Sequence, residues 1–149
     1  LKVGYPAREE EREIVERAIG NTPPKAKPVV PLERLVEAAK AVRHVYIDDR
    51  VKQYIVDVVF ATREPRQRGL AELKSLIEYG ASPRASIALA LAGRAHAFMK
   101  HRGYVTPEDI KAVGPDVLRH RVVLTYEAEA EEVSAEDVVR RVFEVVEVP

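Results

Sequence analysis

The sequence predicts an all-α fold: a compact bundle of six or seven helices with at most a short two-stranded ribbon. Three observations carry that expectation. Apolar residues recur at three- and four-residue spacing along most of the 149 residues. Several of these runs open on Ser, Thr or Asp, twice with Pro at the first helical position. Only HVYID (44–48) and RHRVVLT (119–125) interrupt the helical pattern as short extended pieces.

The first helix is expected from Ala7 to Ile19, with Ile14, Val15, Ala18 and Ile19 on one side and Gly20 closing it. Its first turn is rich in acid (EEERE, 9–13), which suits the positive end of a helix. NTPPKAKPVVP (21–31) is a proline-rich connector, with Pro31 fitting the first turn of a helix marked by Leu32, Leu35, Val36, Ala39 and Val42. Asp48 caps a third helix with the stripe Val51, Tyr54, Ile55, Val58 and Val59. Residues 63–81 are the least regular: Pro65 and Gly69 mark loop, and Leu70, Leu73, Leu76 and Ile77 suggest one short helix. Arg63, Arg66 and Arg68 read there as solvated loop cations.

Ser82 as N-cap and Pro83 at N1 start the next helix, which places Arg84 at N2. Its row continues through Ala88, Leu91, Ala95 and Phe98, putting Arg84 at the rim of a buried stripe, and Gly103 is expected to end the helix. Thr106–Pro107 opens a helix with Ile110, Val113 and Val117 inward. The extended piece 119–125 is a candidate partner for HVYID. Ser134 caps a last helix bearing Val138, Val139, Val142 and Phe143.

With 46% apolar and 32% charged residues, the chain fits one globular domain with a sizeable core. The absence of cysteine excludes disulfides and thiolate metal sites. No 18-residue apolar run occurs, and LKVGYPAREEE lacks the charged-then-apolar order of a signal peptide. A cytoplasmic location and no membrane partner are therefore expected. Net charge is zero but uneven. Residues 84–121 hold seven Lys/Arg against three Asp/Glu, and residues 122–149 hold two against eight. EAEAEE (127–132) is either solvated chain or a match for a partner's basic surface.

Motifs for complete chemistry are missing from the sequence. It contains no G-x-x-x-x-G-K-[ST] phosphate loop, G-x-S-x-G, H-E-x-x-H or Gly-rich dinucleotide turn. His96 and His101 are badly spaced to share a helix face as ligands, so they read as surface or boundary histidines and no metal site is expected. Arg119, His120 and Arg121 cluster at a helix end, which the macrodipole alone favours, and form a candidate interface.

Arg84 is the unusual cation. It stands where the helix dipole repels positive charge and attracts anions, and the nine residues after it are uncharged. Two readings are open from the residues alone. Arg84 pairs with Glu78 or another surface carboxylate, or its planar fork reads a γ-phosphate held by another domain.

VGYPAREEEREIV (3–15), YGASPRASIALALAGRAHAF (79–98), GYVTPEDIKAVGPDVLRHRVVL (103–124) and SAEDVVRRVFEVVEVP (134–149) carry a resemblance in order and spacing. Over nearly its whole length the chain resembles the C-terminal helical lid of MoxR-type AAA+ ATPases. The resemblance implies a single lid domain over 1–149, with 1–6 as the end of the core-to-lid junction and 7–149 as the helical lid. It implies that Arg84, the arginine of GASPRA, is the second sensor, both nucleotide-binding and catalytic, while Ser82 and Pro83 fix the helix start. The nucleotide-binding core with its Walker motifs, which would hold most of ATP and Mg, is not in this sequence. The lid alone is thus expected to bind ATP feebly or not at all. Also implied are a homo-oligomeric ring, chaperone-like action on partner proteins, and partners with von Willebrand factor A domains.

Two rivals belong to other classes. A stand-alone module would bind nucleic acid through residues 84–121, but residues 107–117 set Glu108, Asp109 and Asp116 against Lys111 alone, so nucleic acid is not an expected partner. An oligomerisation module would use Val138, Val142 and Phe143 as its contact surface.

Overall fold

The structure, a computed structural model, describes residues 3–20 and 26–149. Residues 1–2 of the expected junction and 21–25 of the proline-rich connector lie outside the described residues. The chain divides into two compact units, residues 1–38 and 39–149. Among the described residues there are seven α-helices and one two-stranded sheet, so the fold is the helical bundle that the sequence predicts.

In the first unit, α1 (Arg8–Ile19) begins with the Ala7 N–H donating to the Glu10 carboxylate at 2.8 Å. Arg12–Glu16 and Arg17–Glu13 pair at four-residue spacing along its surface. The helix buries none of its residues, so Ile14, Val15 and Ile19 remain exposed. It ends at Gly20 in extended backbone, not in a left-handed turn. α2 (Leu32–Arg43), whose residues from Ala39 on belong to the second unit, starts directly after Pro31, whose carbonyl accepts the Arg34 N–H, and it too buries no residue.

The second unit contains the core. α3 (Asp49–Arg63) is capped by the Asp48 carboxylate, which accepts the Arg50 N–H at 2.9 Å. All five residues of its predicted stripe are buried. α4 (Pro83–Met99) packs against both α3 and α5 (Pro107–Leu118), and α7 (Ala135–Val145) closes over α3 and α5. Tyr54, Val58, Val59, Leu89, Ile110, Leu118, Val138 and Val142 fill the space between them. Burying a side chain of this size removes it from water at a gain of roughly 1.5–3 kcal/mol.

Three expectations need correction. Residues 70–77 do not form one helix. They form the second of two 3₁₀ turns, Pro65–Arg68 and Ala71–Lys74, followed by β1 (Ile77–Tyr79). Leu70, Leu73 and Leu76 are spaced by three, which is the 3₁₀ period, and all are buried. The second correction concerns pairing. β2 (Val123–Leu124) runs antiparallel to β1, with Ile77 opposite Leu124 and Tyr79 opposite Val123. HVYID instead forms a single parallel bridge from Tyr46 to Tyr104, with the Tyr46 N–H on the Gly103 carbonyl and the Val105 N–H on the Tyr46 carbonyl. A short α6 (Tyr126–Ala130) follows β2.

The third correction concerns α4. Its buried row is Ala85, Leu89, Gly93 and Ala97, one to two positions on from the expected one. Ile87 is 60% exposed and Leu91 53%, so the side of the helix that follows Arg84 faces outward.

Candidate functional site

The tip of α4 is built by its docking onto the last turn of α3. Thr62, buried at the end of α3, accepts the Ala81 N–H on Oγ1 at 2.9 Å and donates to the Val59 carbonyl at 2.7 Å. Gly80 lies against the same turn. A Cβ there would stand 2.3 Å from the Thr62 carbonyl oxygen and 2.8 Å from Arg63 Cγ. Only a glycine permits that approach. Ala81 is completely buried, Ser82 turns the chain in extended backbone, and Pro83 occupies the first helical position. Arg84 is therefore carried on a helix start that is fixed to the core.

Ser82 stands at the N-cap, yet its hydroxyl makes no capping hydrogen bond. Its carbonyl accepts the Ala85 N–H at 2.8 Å. Arg84 is exposed, and its side chain has no hydrogen bond or ion pair among the described residues. Pairing with Glu78, the first of the two readings open from sequence, is absent. An uncapped helix tip beside an uncompensated guanidinium is an arrangement that attracts an anion.

The candidate interface at 119–121 is largely engaged within the fold. Arg119 pairs with Asp116 at 2.6 Å and Glu136 at 3.6 Å and donates from Nε to the Pro115 carbonyl, tying the end of α5 to the start of α7. Arg121 donates to the Val117 carbonyl and contacts His120, which is exposed. The loop arginines also differ from expectation: Arg63 is the last residue of α3, and Arg68 pairs with Asp57 at 2.7 Å. Val138, Val142 and Phe143 lie in the core and offer no contact surface, which removes the oligomerisation rival as drawn from sequence.

Sequence reasoning missed two residues. Thr62 sits in an apolar run and gives no local sign of its bond to Ala81. Asp109, only 1% exposed, accepts two bonds from Arg102 and one from the Thr106 N–H, and it contacts His96 Nδ1 at 2.7 Å. The T-x-x-D spacing of Thr106 and Asp109 was a legible capping box. Burial raises the Asp109 pKa, but the bonds from Arg102, Thr106 and His96 outweigh it and hold the carboxyl well below the usual carboxylate range. His96 is thus committed to α5, the helix next in sequence.

Comparison with known proteins agrees with this architecture. The AAA lid domain family matches residues 71–142. Chaperone MoxR1 of Mycobacterium tuberculosis is 46% identical over 149 residues, covering 100% of this chain and 39% of that protein. Protein MoxR of Methylorubrum extorquens is 34% identical over 128 residues, or 81% of this chain and 37% of its own length. A crystal structure of a protein from Cytophaga hutchinsonii, named as an ATPase, superposes with a TM-score of 0.84 at 36% identity. It is matched over 99% of this chain and 45% of its own length. The chain thus spans less than half of each of these relatives. With the helical lid architecture, the matched family and this similarity in hand, the chain belongs to the MoxR-type AAA+ ATPases and carries their lid domain.

Proposed function

We propose that this lid senses the nucleotide of an ATP-hydrolysing, chaperone-like motor, with Arg84 as the group that reads the triphosphate. One observation carries the reading. Arg84 is an exposed cation with no acid partner among the described residues, at the positive end of a helix whose start is docked through Gly80 and Ala81 onto Thr62.

The residues present fit a phosphate and little more. One guanidinium and a helix tip make too few contacts to hold ATP alone. Among the described residues no group of three or more His, Cys, Asp or Glu is placed to hold a metal. In this reading the nucleotide-binding core supplies the main ATP and Mg²⁺ site, and the lid closes on it. ATP supplies the terminal phosphoryl group. Arg84 neutralises the charge that develops on it, a role in which an arginine contributes roughly 10³-fold or more in rate. When that phosphate leaves, Arg84 loses its anion and the lid is released to turn.

Further parts of the reading are a homo-oligomeric ring, a cytoplasmic location, and action on partner proteins, those with von Willebrand factor A domains among them. No helix among the described residues is long and apolar enough to cross a membrane. At 119–121 the exposed His120 is the side chain left to meet a partner.

The test is Arg84→Ala in the full-length protein. ATP turnover should fall by orders of magnitude while helical content and thermal midpoint stay as in the parent. Unchanged turnover in the folded variant removes the reading.

A further inference from the structure

We infer that Arg63 is a second phosphate-contacting cation at the tip of α4, acting with Arg84 on the same nucleoside polyphosphate. The inference rests on the nucleotide-sensing reading above and names a residue that the reading does not contain.

Arg63 ends α3, immediately after the Thr62 that anchors Ala81. Its stem lies against Gly80, where the contact at Cγ is too close for any side chain. Four residues of chain, at most about 14 Å even if fully extended, separate Gly80 from Arg84. The two arginines therefore flank one short, rigid turn.

The guanidinium of Arg63 is held but not satisfied. Its Cζ stands 4.2 Å from the centroid of the Phe60 ring. Phe60 is 38% exposed, so the stack is at the surface. Stacking occupies the face of the guanidinium and leaves its edge N–H groups to donate. Nε is buried with no hydrogen-bond partner, and Arg63 has no ion pair among the described residues. The outer N–H groups of the fork are neither buried nor hydrogen-bonded among the described residues, and they are the donors that a phosphate oxygen would reach.

Arg94 provides the contrast. Its Nε is also buried and unpartnered. It lies about 15 Å further along α4 than Arg84, too far to share one phosphate group. It neighbours Lys52, whose ionisation it disfavours, at the opposite end of α3 from Arg63. Only Arg63 combines the unsatisfied donor with a position at the Arg84 end.

The experiment uses the full-length protein and compares Arg63→Ala, Arg63→Lys and Arg84→Ala with the parent. Binding of ATP and of adenosine is measured, along with KM and kcat for hydrolysis. Arg63→Ala should weaken ATP binding about tenfold, the scale of a lost bond to a charged group, and leave adenosine binding unchanged. Arg63→Lys should recover part of the loss, since it keeps charge but not the planar fork. A residue that only packs on Phe60 would not discriminate between the two ligands. ATP affinity within twofold of the parent in Arg63→Ala, with Arg84→Ala impaired, overturns the inference and leaves the sensing reading standing. Parent-like behaviour in both variants overturns the reading itself, and this inference with it. If Arg63→Ala does not fold, Arg63→Lys decides: an ATP-selective loss supports the contact, and an unchanged affinity overturns it.

Discussion

Thr62 and Ala81, nineteen residues apart, are joined by a 2.9 Å bond from the Ala81 N–H to the Thr62 hydroxyl, and both residues are completely buried. The bond ties the last turn of a core helix to the turn that launches α4. The direction in which Arg84 leaves the fold is therefore set by α3 as well as by its own helix.

Replacing that hydroxyl should loosen the launch. Thr62→Val keeps the shape but leaves a buried N–H without an acceptor, at a cost of about 1–3 kcal/mol. Thr62→Ser should restore most of the loss. Urea midpoints of the three proteins check this, and a Val variant as stable as the parent would show that the bond holds nothing.

Gly80→Ala should be more severe than an ordinary loop substitution. The new Cβ would stand 2.3 Å and 2.6 Å from carbonyl atoms of Thr62, and backbone cannot swing aside as a flexible side chain can. A loss of about 2 kcal/mol or more is expected. Gly103→Ala is the control, with nothing within 4 Å of the added carbon. Thermal denaturation of the pair should show a large shift for the first and a small one for the second.

The helices that sequence placed well are those with a sharp apolar side and a polar start. α3 has Asp48 and a five-residue stripe, and α7 has Ser134 and four buried apolar residues. The start of α4 is legible in its Ser-Pro pair, but its buried row lies one to two positions on from the expected one. Alanine and leucine surround that helix, so periodicity alone does not say which row goes inward. The strand partners were not legible because β1 and β2 are only three and two residues long, and their pairing is decided by the packing around them. The unusual setting of Arg84 is legible because it is local: a Pro at N1 and no acid in the first turn. The placement of Thr62 and Arg63 beside it is not legible, because it depends on a contact with Gly80 and Ala81 that only the folded chain makes.

Arg119 should act as a clamp between α5 and α7. Truncation to Ala removes the Asp116 and Glu136 pairs and the bond to the Pro115 carbonyl. Because the pairs are partly solvent-exposed, the expected loss is only about 1 kcal/mol. High salt should shrink the difference between parent and variant. A difference in urea midpoint that is indifferent to salt would point to lost packing of the arginine stem instead.

Asp109 should govern part of the acid sensitivity of the fold. Its carboxylate is held charged by Arg102, Thr106 and His96 against the opposing effect of burial, so its folded pKa lies below that of the unfolded chain, about 3.9. The unfolded state binds the proton more readily. The stability this group contributes is therefore whole near neutral pH, starts to fall as pH drops toward 4, and is lost on approach to the depressed folded value. Asp49, Glu72, Glu108 and Asp137 are also shifted down, so the parent's acid curve alone does not isolate Asp109. The difference from Asp109→Asn does. That variant leaves Arg102 half-buried without its counter-charge and should be about 3 kcal/mol less stable at pH 7. Its urea midpoint should fall less steeply than the parent's between pH 5 and 3, so the two curves converge on acidification. Parallel curves across that window would show that the proton is taken up elsewhere.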